Sequence, residues 1–524
     1  MHFAAISALL VLATSATGQH APAQREPTAR TRQVWVYFAD SRATPTSTSD
    51  TVLSAAAIER RRARRTLPGL FDRRDVALDA SLVRSVASTG ARVRAQSRWL
   101  SAVSADATPS QVAALASLPG VVRIEPVRRG EMLEAVETAA PPSSDGLASV
   151  DYGVSTAQLA QIDIPRLHER GHTGAGIIIG VLDTGFNRVH EAFTNPSHPL
   201  QVLAEWDFIN NDGNTGIEAT DPATQHKHGT WILGTIGAYL PGTVVGGAFD
   251  ARFVLAKTED VATETPIEED YYAAGIEFIE AHGADLATSS LGYIDWYTQA
   301  DLDGATAVTT IAVNLATANG MICVTAAGNS GHDADPITST LIAPADALDV
   351  ITCGATDVAG VVASFSSSGP TADGRVKPEV LARGVATATV HSTNATGTAG
   401  VSGTSLSTPL VAAAIACILD ARPDYSVAQL REALFATASR SDSTWLHPDP
   451  LFVEGHGLIS AFRCATLGRA AADLNLDGTV DGSDLTVLIS RWGVTGTPGD
   501  LWGDISGDGV VDGLDATALL SDWG

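Results

Sequence analysis

Hydrophobic positions change their rhythm three times along this chain. An apolar run from Phe3 to Ala13, followed by small residues, reads as a secretory signal peptide over residues 1–18. A spanning helix needs roughly 20 apolar residues, so a signal-anchor is the weaker reading. RQVWVYFAD (Arg32 to Asp40) then alternates like a strand, and Ser97 to Pro126 reads strand, helix, strand. In that helix Thr108 is the expected N-cap and Pro109 the first helical residue.

From about Tyr152 the alternation gives way to short, continuously apolar runs: GIIIGVLDTG, ARFVLAKTE, GADLATSSLG, GMICVTAAGNSG and DVITCGATD. Each ends in glycine or polar residues and is followed by a helical pattern, which predicts a parallel α/β sheet. Reactive groups in such sheets gather at the carboxyl ends of the strands. No stretch after the leader is expected to be long and apolar enough to span a membrane.

Charge adds a partition. The formal net charge is −26, which argues against nucleic acid as a partner. More than half of the arginines nevertheless fall in the first 130 residues, so this basic unit is expected to dock on the acidic remainder. The run Arg60, Arg61, Arg62, Arg64, Arg65 is expected to be a solvated helix face. GEMLEAVETAAPPSSDG has the composition of an exposed linker, with cleavage expected within Glu131 to Val150. Four cysteines are too few for a disulfide framework; a Cys417–Cys464 pair is left open.

Three strand ends and helix starts carry candidate chemistry. Asp183 follows a strand in VLDTGF, His228 precedes Gly-Thr in HGTWILGTIGA, and Ser405 lies in SGTSLSTPLVAA. Each alone reads as a cap or turn residue. Together, with AAGNSG, VASFSSSGP, VKPEV and GHGLISA, they resemble the subtilisin-like serine peptidases, or subtilases, over about residues 150–465. The resemblance implies an Asp183, His228, Ser405 triad, with Asn329 supplying a side-chain amide to the oxyanion site. It also implies that Ser290, Leu291 and Gly292 of SSLGY pair with a peptide substrate as an added strand. The chemistry needs these groups. A serine hydroxyl is a weak nucleophile until an imidazole takes its proton, and a carboxylate must hold that imidazole in the right tautomer. The unit ahead of the peptidase resembles the family's propeptides, which act as folding assistants and temporary inhibitors.

The last 55 residues repeat themselves with a displacement of 31. Asp473, Asn475, Asp477, Asp481 and Asp484, with the Thr479 carbonyl, have the spacing of an EF-hand-type calcium loop. Asp504, Ser506, Asp508, Asp512 and Asp515, with the Val510 carbonyl, repeat it. Aspartate at position 12 and the lack of a clear entering helix make the pair resemble dockerin modules, which implies calcium and a cohesin-like partner. A calcium-stabilised terminal domain without a partner is the alternative.

The expected organisation is a signal peptide (1–18), a small α+β propeptide (25–135), a three-layer α/β subtilisin-like domain with a parallel sheet (150–466), and a small α-helical duplicated calcium-loop module (470–524). The expected function is secreted or extracytoplasmic serine endopeptidase, acting on protein or peptide substrates and inhibited by its own propeptide. A non-catalytic scaffold on a peptidase fold is the competing reading.

Overall fold

The computed structural model describes residues 31–130, 135–141, 150–261, 267–294, 297–440 and 449–524. The expected signal segment and much of the Glu131–Val150 window lie outside the described residues. In the strand Arg32–Phe38 the alternation serves two cores. Val34, Val36 and Phe38 pack with Val86, Val103 and Leu115 of their own unit. Trp35 and Tyr37, on the other face, join a cluster with Tyr272, Ala273 and Ile276 of the larger domain. This strand lies inside a four-stranded antiparallel sheet in the order Arg92–Ser97, Ala102–Ala107, Arg32–Phe38, Val121–Pro126. The helix Pro109–Ala116 carries the expected capping, with Gln111 N donating to Thr108 Oγ1.

The larger domain is built on a seven-stranded parallel sheet in the order Val380–Arg383, Ile351–Thr356, Ile322–Ala326, Leu286–Ser289, Ile178–Asp183, Arg252–Lys257, Gln201–Asp207. Both faces are covered, which is why the strands read as unbroken apolar runs. Ile179, Val181 and Leu255 pack against the helices Lys227–Gly237 and Thr404–Ala421. Ile178, Leu182 and Val254 pack towards Glu269–Ala281 and Val308–Ala318. The two outermost strands are absent from the predicted runs: Gln201–Asp207 is only partly buried, and Val380–Arg383 is four residues long.

Thr404–Ala421 corrects another expectation, since its 18 residues are long and apolar enough to cross a membrane. It is the central helix of the core, 94% buried, and its apolar circumference reflects neighbours on every side. All four cysteines are free and buried, so the Cys417–Cys464 bridge is not formed; Cys417 Sγ instead approaches the Gly247 carbonyl at 3.1 Å.

The arginine run is not solvated. Within the helix Ala55–Arg64, Arg60, Arg61 and Arg64 share one side and are buried against the larger domain, while Arg62 stays outside with Glu59. Arg60 and Arg61 pair with Glu280, Arg61 Nη1 with Asp75 at 2.8 Å, and Arg64 Nη1 with Asp285 at 3.1 Å. Close approach explains the burial: a Cβ at Gly283 would meet Ala56 Cβ at 2.4 Å, and one at Gly320 the Arg64 backbone at 2.8 Å. Sequence alone shows the charge but not these two gaps in the facing surface.

The partner face is the helix Glu269–Ala281, which turns Glu269, Asp270, Glu277 and Glu280 to the N-terminal unit. Glu269 Oε1 accepts Trp35 Nε1 at 3.3 Å, and Asp270 accepts Arg94 Nε at 3.0 Å and Ser104 Oγ at 2.6 Å. Glu277 accepts the amides of Arg98 and Trp99 at 3.1 and 3.2 Å and the Ser97 hydroxyl. Burial pushes the Glu277 carboxyl up to about 7 against these donors. Burial also opposes the charge of Glu280, but Arg60, Arg61 and Arg98 outweigh it and hold its pKa down at about 2.

The signs oppose each other. Glu277, raised on docking, contributes fully below the ordinary glutamate range and loses its contribution as pH rises through about 7. Glu280, lowered, contributes above that range and loses its contribution as pH falls towards about 2. The melting temperature of the intact Ser405→Ala precursor is therefore expected to fall between about pH 5 and pH 8, and Glu277→Gln to flatten that slope. An unchanged slope in the variant, followed by calorimetry, counts against Glu277 as its source.

Candidate active site

Three neighbouring strands end side by side at the carboxyl edge: Ile178–Asp183, Leu286–Ser289 and Ile322–Ala326. Asp183, Ser290 and Asn329 lie at or just beyond those ends, where open α/β sheets collect chemistry. Asp183 is fully buried; its Oδ1 accepts the Thr184 amide at 2.7 Å.

His228 stands in the first turn of the helix Lys227–Gly237. Its Nδ1 lies 2.8 and 3.0 Å from the two Asp183 oxygens, so the tautomer this contact selects donates Nδ1–H to the carboxylate. Among the described residues the buried Nε2 has no hydrogen-bond partner, leaving it as the nitrogen able to take a proton. The Gly-Thr after His228 has a steric reason. A Cβ on Gly229 would lie 2.3 Å from the Gly185 carbonyl and 3.1 Å from Asp183 Cβ, so only glycine lets the helix approach the turn. Gly229 N also donates to Thr184 Oγ1 at 3.1 Å, and Thr230 Oγ1 accepts the Asn187 amide at 2.8 Å.

Ser405 is the second residue of the helix Thr404–Ala421, which follows the strand Thr398–Ser402. Pro409 has no N–H, so the Ser405 carbonyl lacks its intrahelical donor. Ser290 Oγ fills that role at 2.8 Å and ties the 290–292 segment to the serine. Leu291 is fully buried, so its side chain belongs to the core rather than to the surface of this segment.

The other hydroxyls sort by contact. Thr404 donates through both N and Oγ1 to Asn329 Oδ1, at 2.9 and 2.8 Å. This orients the amide so that Nδ2 faces Gly403, 3.3 Å from where a Cβ would stand. Ser402 Oγ accepts the Ala386 amide, and Thr408 Oγ1 donates to the Thr404 carbonyl. Ser407 has no partner for its Oγ among the described residues.

Two features were not read from the sequence. Val136–Thr138 forms an antiparallel strand on Thr398–Ser402, with Val136 opposite Ser402 and Thr138 opposite Gly400. Ala135 continues it towards Gly403, and Ser405 is completely buried. Three exposed residues on a two-residue alternation left only a weak strand signal. Asp207, Asp212 and Glu218 form an acidic cluster whose ligand oxygens lie within 4.8 Å of one another, with Lys257 Nζ 2.8 Å from Asp207.

Ser405 Oγ donates to the Ser290 carbonyl at 3.5 Å and not to His228 Nε2, yet a carboxylate–imidazole pair and a buried serine at the carboxyl edge of one parallel sheet are the groups of a serine peptidase of the subtilisin type. The chain belongs to the subtilase family, whose description it matches over residues 174–457. Residues 33–140 match the peptidase S8 propeptide domain of Bacteroidota. It is 33% identical to a subtilisin of Bacillus pumilus over 315 residues, covering 60% of this chain and 97% of that one. It is 31% identical to subtilisin E of Bacillus subtilis (strain 168) over 378 residues, covering 72% of this chain and 83% of that one. The fold is shared with fervidolysin of Fervidobacterium pennivorans, a keratinolytic enzyme related to subtilisin, at a TM-score of 0.57 and 20% identity. That match covers 84% of this chain and spans 61% of the fervidolysin chain. The protein is thus a serine endopeptidase of the subtilisin family, preceded by a propeptide.

Gly229→Ala is expected to lower kcat on the order of 10²-fold by displacing His228 from Asp183, while the circular dichroism spectrum is retained. Full activity in the alanine variant speaks against the close approach as a requirement.

Proposed function

We propose that the protein is a secreted endopeptidase made as an inhibited precursor, with Ser405 as nucleophile, His228 as general base and then acid, and Asp183 orienting the imidazole. The Asp183–His228 contact carries the reading. His228 Nε2 takes the Ser405 proton as Oγ attacks the peptide carbonyl, and returns it to the leaving amine; water then hydrolyses the acyl-enzyme by the same route. The developing oxyanion is received by the Ser405 amide and the Asn329 side chain, while Ser290, Leu291 and Gly292 hold the peptide backbone. An intact set of these groups disfavours the non-catalytic scaffold.

Inhibition is supported by the strand Val136–Thr138, which lies on the segment leading into Ser405. Upstream, Gly130 pairs with Ile267 of the larger domain. The maturation cut falls within Glu131 to Val150, and the leader at Phe3–Ala13 directs export. Ser405→Ala is expected to abolish fluorophosphonate labelling and casein hydrolysis and to leave the precursor uncut. Sequencing the wild-type mature N-terminus locates the cut; casein hydrolysis by the alanine variant rules out Ser405 as the nucleophile.

The C-terminal repeats support a calcium-binding, dockerin-like module. Asp484 and Asp515 are fully buried, and each accepts amides from both ends of its own loop. Gly478 and Gly509 have φ of +97° and +88°, as the sharp turn at position 6 requires. Among the described residues Asp473 Oδ1 is buried without a partner, while its Oδ2 pairs with Arg469 at 2.7 Å. Hard oxygen donors of this kind suit calcium. The loops with the helices Gly482–Ser490 and Gly513–Ser521 make a calcium-stabilised terminal module; a cohesin-like partner has no support beyond the resemblance. Calcium at about 1 mM, the weak end of such sites, is expected to raise the melting temperature and protect the tail from proteolysis. No change in either excludes calcium there.

A further inference from the structure

We infer that the first C-terminal loop, residues 473–484, is a docking element for the chain's own peptidase domain, seated there by Leu476 and dependent on calcium in that loop. The calcium dependence rests on the calcium-binding reading of the repeats. The two loops share their ligand spacing but differ at position 4, which is Leu476 in the first and Gly507 in the second.

Both residues are left-handed, with φ of +62° and +73°. Glycine takes that conformation freely, whereas a leucine is strained in it. Gly507 is exposed, and a Cβ there would meet nothing within 4 Å. Leu476 is only 3% exposed. Among the described residues, the other buried apolar side chains of the module, such as Leu474, Val480, Leu488 and Leu519, form a core of their own, while Leu476 joins the peptidase core that holds Ala421, Cys464 and Ala465. A strained residue persists where its contacts compensate, and these contacts belong to the other domain.

Polar contacts converge on the same loop. His172 lies between Asp420 Oδ1, at 3.3 Å, and the Asn475 carbonyl, at 3.1 Å. Arg469 donates to Asp473 Oδ2 at 2.7 Å and to the carbonyl of Ala421, the last residue of the central helix, at 3.1 Å. The Gly478 amide takes the same Oδ2 at 3.0 Å, which leaves the buried Oδ1, without a partner among the described residues, as the oxygen for a cation. Asp504, the counterpart in the second loop, accepts the Asp508 and Gly509 amides of its own loop at 3.0 and 2.8 Å. Among the described residues no peptidase side chain is bonded to it.

Charge allows the arginine and the ion to act together. Asp473, Asp477, Asp481 and Asp484 repel one another; a divalent cation and one guanidinium offset most of that charge without exceeding it. With the loop backbone set by the ion, Leu476 and the Asn475 carbonyl are presented to the peptidase domain. The coupling is reciprocal, so docking in turn favours the ion.

Hydrogen exchange of the full Ser405→Ala chain, followed by mass spectrometry with and without calcium at about 1 mM, tests this. Calcium is expected to slow exchange about 10-fold, the protection given by a ligand at ten times its Kd, in both loops and also in the peptidase segments 164–172 and 418–424. Leu476→Gly copies the second loop and relieves the strained φ; it is expected to keep the protection of both loops and lose that of 164–172. If this variant loses protection of its own loop as well, His172→Ala decides, because it alters nothing in the module and is expected to reduce the protection of 418–424. Protection of the peptidase segments that survives these variants, or that calcium fails to produce although both loops are protected, overturns the docking role. No protection of either loop by calcium overturns the calcium reading instead, and the calcium dependence with it.

Discussion

The approach of Gly229 to the Gly185 carbonyl is the contact on which the site depends. It presses the start of one helix into the turn ending one strand, and the histidine and aspartate meet because their backbones do. A buried carboxylate facing a buried imidazole is costly unless geometry satisfies both. Here Asp183 has the imidazole and the Thr184 amide as partners, so the charge has a place without water. The nucleophile is held by a second substitution of partners. Pro409 removes a helical donor, and Ser290 supplies one from the segment proposed to hold the substrate.

The interface of the N-terminal unit follows the same logic on a larger scale. Four acids on one helix would repel each other and suffer dehydration if buried alone. Arginines, serine hydroxyls, an indole and the backbone amides of a turn meet them instead. The resulting network is not uniform, because burial outweighs the one guanidinium, Arg98, and the hydroxyl and amide donors that Glu277 has, whereas Glu280 has three guanidinium groups. Beside this network lies an apolar part of the interface, centred on Trp35 and Tyr37.

Legibility tracked how local each cause was. The capping of Pro109–Ala116, the five apolar runs and the repeated acidic loops could be read because neighbouring residues impose them. The arginine run misled because charge normally faces solvent, and nothing local reveals acids more than 200 residues away or the glycines that let the helix close on them. The edge strands escaped for a related reason. Short or half-buried strands have little pattern of their own and acquire register from a neighbour.

By itself, the sequence determined the class of sheet, the family and the residue types that carry the chemistry, since composition at strand ends and a few motifs suffice for that. Tertiary structure decided the distances. It showed which imidazole nitrogen faces Asp183, why glycine must follow His228, what takes the Ser405 carbonyl, and that a strand from upstream pairs with the segment leading into the serine. Hydrogen bonds and van der Waals contacts act over a few ångströms, and only the folded chain brings residues this remote in sequence within that range.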